Sequence, residues 1–117
     1  YYHNHTEEFT ELKDGRNAMD IISDGCMLEL DMYWSFCAGI NNKEYLAEHK
    51  DKIALVHIKD GINRKPTALG EGENDLANIV EGVKAIGLEW VILENDEPVP
   101  TGLDDITRSY KWLKENF

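Results

Sequence analysis

The stretch of sequence that decides the fold is Ala54-Leu55-Val56-His57-Ile58-Lys59-Asp60. In an extended chain, successive side chains point to opposite faces of a sheet. One face here is wholly apolar and the other turns polar toward its carboxyl end: Ala54, Val56 and Ile58 against Leu55, His57 and Lys59. The pattern predicts a strand from Ile53 to Lys59 with one buried face and polar groups at its carboxyl end.

Three other short runs resemble this strand, and they are Tyr1 to His5, Met27 to Met32 and Trp90 to Asn95. The four runs are spaced roughly 25 to 40 residues apart, which leaves room for a helix after each strand. Strands that alternate with helices in this way predict an α/β fold with a parallel sheet.

Helical periodicity follows each of the four strand-like runs. It is clearest from Asp75 to Ile86, where Asn74 or Asp75 can cap the start and Gly87 can close the end. A second helix is predicted from about Asp104 to Glu115, with its apolar residues on one stripe: Leu103, Ile106, Tyr110 and Leu113. Weaker helical patterns cover Arg16 to Ser23 and Asn42 to Lys50, and the polar stretch Gly61 to Asn74 is predicted to be a long loop.

Polar side chains stand near the carboxyl end of each predicted strand: His3 and His5, Asp31, His57 and Glu94. The carboxyl ends of parallel strands meet at one edge, where ligands bind in α/β folds. Such a cluster is costly to bury unless a cation or a substrate neutralises it, and imidazole with carboxylate suits Mn²⁺, Zn²⁺ or Co²⁺. Taken singly, each residue also has an ordinary structural interpretation.

Those structural interpretations are specific. His57 would be a hydrogen-bonded histidine at a strand end, Asp31 would cap the following turn, and Glu94 would pair with a lysine. His3 and His5 would be frayed terminal residues. Glu29 is predicted to be structural, a carboxylate deeper in the sheet that pairs with a cation.

Composition excludes several classes of function. The chain has 117 residues, with 12 Lys and Arg against 23 Asp and Glu, and a formal net charge of -11. Phosphate backbones and anionic membranes repel such a charge, so neither nucleic acid nor a membrane is expected as a partner. No CxxC motif is present, and Cys26 and Cys37 are predicted to be free, partly buried thiols of a cytoplasmic protein.

Five segments in this order resemble a known family, and they are Tyr1-Tyr2-His3-Asn4-His5 with Glu8-Phe9, Glu29-Leu30-Asp31-Met32-Tyr33-Trp34 followed by Ala38-Gly39, Val56-His57-Ile58-Lys59-Asp60, Leu69-Gly70-Glu71-Gly72, and Trp90-Val91-Ile92-Leu93-Glu94-Asn95-Asp96. The family is that of the sugar phosphate isomerases/epimerases, which are xylose isomerase-like (β/α)₈ barrels. The resemblance covers essentially the whole chain but only the C-terminal half of the barrel. It implies that residues 1–117 are a single domain of four βα units, corresponding to strands five to eight.

The resemblance also implies a divalent metal (Mn²⁺, Zn²⁺, Co²⁺ or Mg²⁺) bound by one residue from each strand. By position, the ligands are His3, Asp31, His57 and Glu94, although many relatives carry a glutamate where His3 stands. His5 lies on the same predicted face and is the alternative ligand. The sequence therefore fits less well an epimerase in which two metal-bound carboxylates act symmetrically as acid and base.

The function implied is a sugar isomerase or epimerase that removes a proton next to a carbonyl through a metal-stabilised enediolate. The residues expected to be catalytic are Glu94, His5 and Lys59. Those expected to contact the sugar are Glu8, Trp34, Lys59 and Asp96. Trp34 is equally well explained as an ordinary core residue.

Alternatives remain open at this level. One is a keto-glycoside lyase or hydrolase of the same fold, and another is a half-barrel that binds metal but is inactive until assembled. A nuclease on this fold is disfavoured by the net charge. Only Arg64 and Lys65 could bind a substrate phosphate. Because half a barrel leaves open edges, a homodimer or a complementing N-terminal half-barrel is expected as partner, with the homodimer slightly favoured.

Overall fold

The computed structural model describes every residue from Tyr1 to Phe117. A 3₁₀ turn, Glu7–Phe9, follows the first strand. In chain order the other elements are β1 (Tyr2–His3), α1 (Ala18–Gly25), β2 (Leu28–Asp31), α2 (Met32–Cys37), α3 (Asn42–Glu48), β3 (Ile53–Ile58), β4 (Asp60–Ile62), β5 (Lys65–Thr67), α4 (Leu76–Ile86), β6 (Val91–Leu93) and α5 (Gly102–Asn116).

The predicted α/β fold with a parallel sheet is confirmed. Strands β1, β2, β3 and β6 form one sheet in that order, and every pairing is parallel. The register sets Asp31 of β2 beside His57 of β3, and His57 beside Ile92 of β6. This register brings the polar ends of the strands to one edge of the sheet. The strands are shorter than predicted, and β1 has two residues.

All four predicted helices are present, with ends shifted by a few residues. In α4, the Asp75 side chain accepts a hydrogen bond from the Asn78 amide, and Gly87 closes the helix in the left-handed conformation. Helix α1 begins with a capping box in which Asn17 and Asp20 satisfy each other's backbone amides. Local capping chemistry therefore determines where these helices start and stop.

Two elements depart from the sequence-based prediction. Helix α2 follows β2 directly and was not predicted, because its six residues are too few to establish a helical period. The stretch from Gly61 to Asn74, predicted to be a loop, contains most of the antiparallel hairpin β4–β5. At the tip of this hairpin Asn63 and Arg64 have φ angles of 52° and 65°. Such a turn favours Asn-Gly, so Asn-Arg gives only a weak signal in the sequence.

The main core lies between the sheet and the helices, and it contains these buried residues: Met19, Leu28, Leu30, Met32, Leu46, Ile53, Val56, Ile58, Leu69, Leu76, Ile79 and Val83. The apolar stripe of α5 behaves differently, since Leu103, Ile106 and Tyr110 are exposed. Both cysteines are free, as predicted, but Cys26 is exposed and only Cys37 is half-buried. None of the helices has the length and apolar character needed to cross a membrane.

Candidate metal and sugar site

Four side chains converge at the carboxyl ends of the four strands. His3, Asp31, His57 and Glu94 each offer one ligand atom, and these atoms lie within 4.8 Å of one another. Each residue belongs to a different strand or to the loop just after it. The parallel register therefore produces the cluster that the strand pattern predicted.

Asp31 has two roles, one for each carboxylate oxygen. Its Oδ1 accepts hydrogen bonds from the amides of Tyr33 and Trp34 at 2.9 and 3.0 Å, so it caps α2. Its Oδ2 lies 3.4 Å from His3 Nε2 and 3.3 Å from Lys59 Nζ. The structural and the functional interpretations of this residue are thus both compatible with the geometry.

The charge on Asp31 is held in a buried position, since the side chain is 0% exposed. Burial by itself raises the pKa of this carboxyl. The interaction with His3 and the positive charge of Lys59 outweigh that effect, so the pKa lies below its ordinary value. Asp31 is therefore an anion at neutral pH.

Lys59 is the cation of the cluster and is almost completely buried, at 1% exposure. Its Nζ lies 2.8 Å from Asp96, 2.9 Å from Glu94 and 3.3 Å from Asp31. Burial lowers the pKa of the ammonium, but the charge of Asp31 and the hydrogen bonds to Asp96 and Glu94 raise it above its ordinary value. One ammonium therefore lies among three carboxylates.

His57 lies between two carboxylates. Its Nε2 is 2.6 Å from Glu29 and its Nδ1 is 2.7 Å from Glu94. A neutral imidazole has only one N–H and can donate to only one of them. The other ring nitrogen then faces a carboxylate oxygen with its lone pair, a position that suits a cation. Glu29, which was predicted to be a structural carboxylate paired with a cation, has this histidine as its partner.

The Oε2 atom of Glu94 lies 2.7 Å from His57 Nδ1 and 2.9 Å from Lys59 Nζ. Burial raises the pKa of this carboxyl, but the hydrogen bonds and charges of these two neighbours lower it to about 2. These two neighbours keep Glu94 ionised and make its carboxylate a weak base in this arrangement.

The two histidines of the predicted first strand differ in their positions, since His3 ends β1 and His5 lies two residues beyond it. His3 belongs to the candidate ligand group, and the neighbouring carboxylate of Asp31 raises its pKa although burial opposes this. His5 is exposed and its side chain forms no hydrogen bond. Its ring lies 5.2 Å from that of His3 and 6.0 Å from that of Trp34. His5 therefore lies beside the ligand group and outside it.

Trp34 lies beside the candidate ligand group, next to His5 and Lys59. It is half-buried, and Lys59 Nζ lies 5.4 Å from the centre of its ring. Glu8 is engaged locally, because its two oxygens accept hydrogen bonds from the Tyr2 hydroxyl and the His5 amide.

Asp60 is a buried anchor that the sequence did not reveal. Its carboxylate accepts hydrogen bonds from four backbone amides, at 2.9 to 3.0 Å: Gly61, Gly70, Gly72 and Asn74. A Cβ at Gly72 would overlap this carboxylate. The Asn74 side chain in turn donates to the Lys59 carbonyl at 2.8 Å. This network holds the segment after β3 in place and fixes the backbone at Lys59.

Asn4 is a second positioning residue missed at the level of sequence. It is fully buried, its Oδ1 accepts from the Asp31 amide at 2.8 Å, and its Nδ2 donates to the Asp31 carbonyl at 3.2 Å. These bonds continue the β1–β2 pairing beyond His3. They tie the first strand to the residue that its histidine approaches. In the sequence, the only signal is an asparagine between two histidines.

The donor set fits a divalent cation. His3 Nε2 and Asp31 Oδ2 are both buried and have no hydrogen-bond partner of good geometry. Two imidazoles and two carboxylates are ligands that Mn²⁺, Zn²⁺ and Co²⁺ accept. Glu29 on the far nitrogen of His57 matches the carboxylate–histidine pairing common behind metal ligands. These atoms could hold such an ion with small adjustments.

Comparison with solved structures confirms the expected likeness in fold. Two structures of sugar phosphate isomerase/epimerase from Parabacteroides distasonis ATCC 8503 each superpose on 97% of this chain with a TM-score of 0.78, at 23% and 22% identity. An L-ribulose 3-epimerase superposes on 84% of it with a TM-score of 0.65, at 20% identity. No family model matches the sequence, and no curated protein does either.

The matched region is only part of each solved structure. The chain spans 44% and 43% of the two Parabacteroides chains and 38% of the epimerase chain. Its four parallel βα units therefore correspond to half of such a barrel, as the family resemblance implied.

Proposed function

We propose that this chain carries the metal-binding half of a sugar isomerase or epimerase that acts by removing a proton next to a carbonyl. The observation that carries the proposal is the group of His3, Asp31, His57 and Glu94, whose ligand atoms lie within 4.8 Å of one another. The fold shared with proteins described as sugar phosphate isomerases/epimerases supports a sugar as substrate.

Four residues of the chain would hold the cation, and Mn²⁺, Zn²⁺, Co²⁺ and Mg²⁺ are the candidate ions. When bound, a divalent ion there would polarise the carbonyl of a ketose or aldose and stabilise an enediolate. The first ligand is His3, because His5 lies outside the group.

Proton transfer is assigned to Glu94 and His5. Glu94 is at the centre of the cluster, but His57 and Lys59 both occupy its Oε2, and one of them must move before it accepts a proton. The His5 imidazole is exposed and makes no such bond. It is thus free to accept or deliver a proton on the side of Trp34.

Lys59 and the surrounding side chains have supporting roles. The Lys59 ammonium would balance negative charge that develops on the substrate oxygen. The ring of Trp34 would form a wall against the apolar face of the sugar. Asp96 holds Lys59 from the exposed side, and Glu8 holds the His5 backbone, so both would reach the sugar only by exchanging these bonds.

Metal analysis tests the ligand assignment. We expect the purified chain to bind about one divalent ion, and Asp31→Ala or His57→Ala to lose it in elemental analysis and titration calorimetry. His49→Ala is the matched control, because His49 lies at the end of α3 and stacks on Tyr45. Equal metal content in all variants would contradict the assignment.

Solvent exchange tests the chemistry. A screen of ketoses and aldoses in deuterated water should show deuterium entering the carbon next to the carbonyl, with loss of exchange in Glu94→Gln and His5→Phe. Turnover without solvent exchange would instead favour a hydride shift. If the chain binds metal but shows no turnover, the result favours the alternative that this half-barrel is inactive until it is assembled with another half. The match to only 44% of a solved structure agrees with that alternative.

A further inference from the structure

The segment that follows β3 forms a nest of converging backbone amides. Four N–H groups donate hydrogen bonds of 2.9 to 3.0 Å to the carboxylate of Asp60, and they belong to Gly61, Gly70, Gly72 and Asn74. Gly70 is exposed and Gly72 is half-buried, so this amide nest lies just below the surface. Converging amides of this kind bind anions, and phosphate is a common ligand of such nests.

The amide nest adjoins the candidate ligand group. Asp60 follows Lys59 directly in the chain, and the Asn74 side chain donates to the Lys59 carbonyl at 2.8 Å. The family resemblance makes β3 and β6 the last two strands of a barrel. In (β/α)₈ enzymes, the segments after those two strands frequently bind a phosphate. The amide nest is therefore placed where the phosphate of a phosphorylated substrate would bind.

This chain fills the amide nest with a charge of its own. Each oxygen of Asp60 accepts two of the four amides, and the residue is 1% exposed. A Cβ at Gly72 would already overlap the carboxylate, so there is no space for a second anion beside it. A phosphate could reach these amides only by displacing Asp60, which the chain holds in place covalently.

The segment after β6 is occupied in a similar way. Helix α5 has Asp104 and Asp105 in its first turn, where the helix dipole would otherwise favour an outside anion. On the same helix, Arg108 lies 2.7 Å from Glu71 and 3.6 Å from Asp105. Lys59 is surrounded by three carboxylates. Carboxylates of the chain itself thus engage the amides and cations that a phosphate would need.

We propose that Asp60 determines the class of substrate: its carboxylate fills the amide nest, so that the site accepts an uncharged sugar and excludes a sugar phosphate. The substrate class rests on the proposed function, whereas the filled amide nest does not. The two Parabacteroides proteins are described as sugar phosphate isomerase/epimerase, so likeness in fold alone would suggest a phosphorylated substrate. The occupied amides favour the opposite choice for this chain.

Formate rescue tests whether the amide nest binds anions. Asp60→Gly removes the carboxylate and leaves its place open, while Asp60→Asn fills nearly the same volume with a neutral group. In urea unfolding, formate should raise the folding equilibrium constant of Asp60→Gly about tenfold when its concentration is roughly ten times its dissociation constant. Formamide, or chloride at equal ionic strength, should have no such effect, and formate should not rescue Asp60→Asn. If Asp60→Gly is unfolded without formate, the same titration followed by circular dichroism measures its refolding.

Inorganic phosphate tests the exclusion itself. In titration calorimetry, the metal-free parent chain should show no saturable binding of phosphate, whereas Asp60→Gly should gain binding that formate competes away. A residue that only stabilised the loop would produce neither the gain nor the competition. With the metal-loaded parent chain, deuterium exchange should be several-fold faster for a ketohexose than for its 6-phosphate.

Three results would overturn the proposal. The first is an Asp60→Gly variant that takes up neither formate nor phosphate. The second is saturable phosphate binding by the parent chain that Arg64→Gln removes, which would place the phosphate at the exposed tip of the β4–β5 hairpin. The third is faster exchange with the ketose phosphate than with the free ketose. An absence of exchange with both sugars would contradict the proposed function instead, and the formate titration still decides whether Asp60 fills an anion site.

Discussion

Replacing Lys59 by methionine removes the only ammonium that lies against the buried carboxylate of Asp31. The substitution keeps most of the volume of the side chain, so the main loss is the charge. Asp31 Oδ2 then has only His3 at 3.4 Å, while Oδ1 keeps its two amide donors on α2. Asp96, which is 53% exposed, can turn to water.

Breaking a buried ion pair by removing one partner costs about 3 to 5 kcal/mol. Because the amides on Oδ1 still stabilise Asp31, we take the lower end, about 3 kcal/mol. At an unfolding entropy of about 2.1 cal/mol/K per residue, 117 residues give about 0.25 kcal/mol per degree. We therefore expect the melting temperature of Lys59→Met to fall by about 12 °C in the absence of metal.

Thermal unfolding followed by circular dichroism in a chelating buffer measures this change. Lys43→Met is the matched control, because Lys43 pairs with Glu81 at 2.7 Å on the surface, where water screens the pair and its contribution to stability is small. Adding a divalent cation should narrow the gap between Lys59→Met and the parent chain, since the ion replaces the lost charge. A melting temperature within the range of the Lys43 control would refute the view that Lys59 compensates Asp31.

Other variants test the surroundings of the cluster. Glu29→Gln should weaken metal binding roughly 10- to 100-fold by calorimetry, because the hydrogen bond that orients His57 becomes weaker. Asp60→Ala should destabilise the chain by at least about 3 kcal/mol in urea unfolding, since four amides lose a buried acceptor, and hydrogen exchange should accelerate at Gly72. In metal-free protein, the Glu94 carboxyl has a pKa lowered from 4.5 to about 2, so its contribution is present above pH about 4.5 and disappears as the pH falls toward 2. Glu94→Gln should flatten the stability profile in that window, and an unchanged profile would contradict this cause.

The sequence by itself predicted the four strands of the main sheet, four of the five α-helices and the residues that are candidate ligands. The alternation around His57 and the helical period of α4, with Asp75 and Gly87 at its ends, are local patterns, and local backbone geometry follows from them. The polar residue at the end of each strand could also be identified from the sequence. In a parallel sheet the carboxyl ends share one edge, which is why Asp31 and His57 were expected to lie close together.

Tertiary structure alone decided the partners of those residues. Asp60 accepts a hydrogen bond from the amide of Asn74, and Glu29 pairs with His57, which lies 28 positions away in the sequence. Contacts between such distant residues produce no periodic pattern in the sequence. The apolar stripe of α5 illustrates the same limit. Its spacing predicts an amphipathic helix, but whether Leu103 and Ile106 are covered depends on which element packs beside them. Periodicity shows which side chains lie on the same face of a helix or strand. Register and packing between distant segments determine which other residues that face contacts.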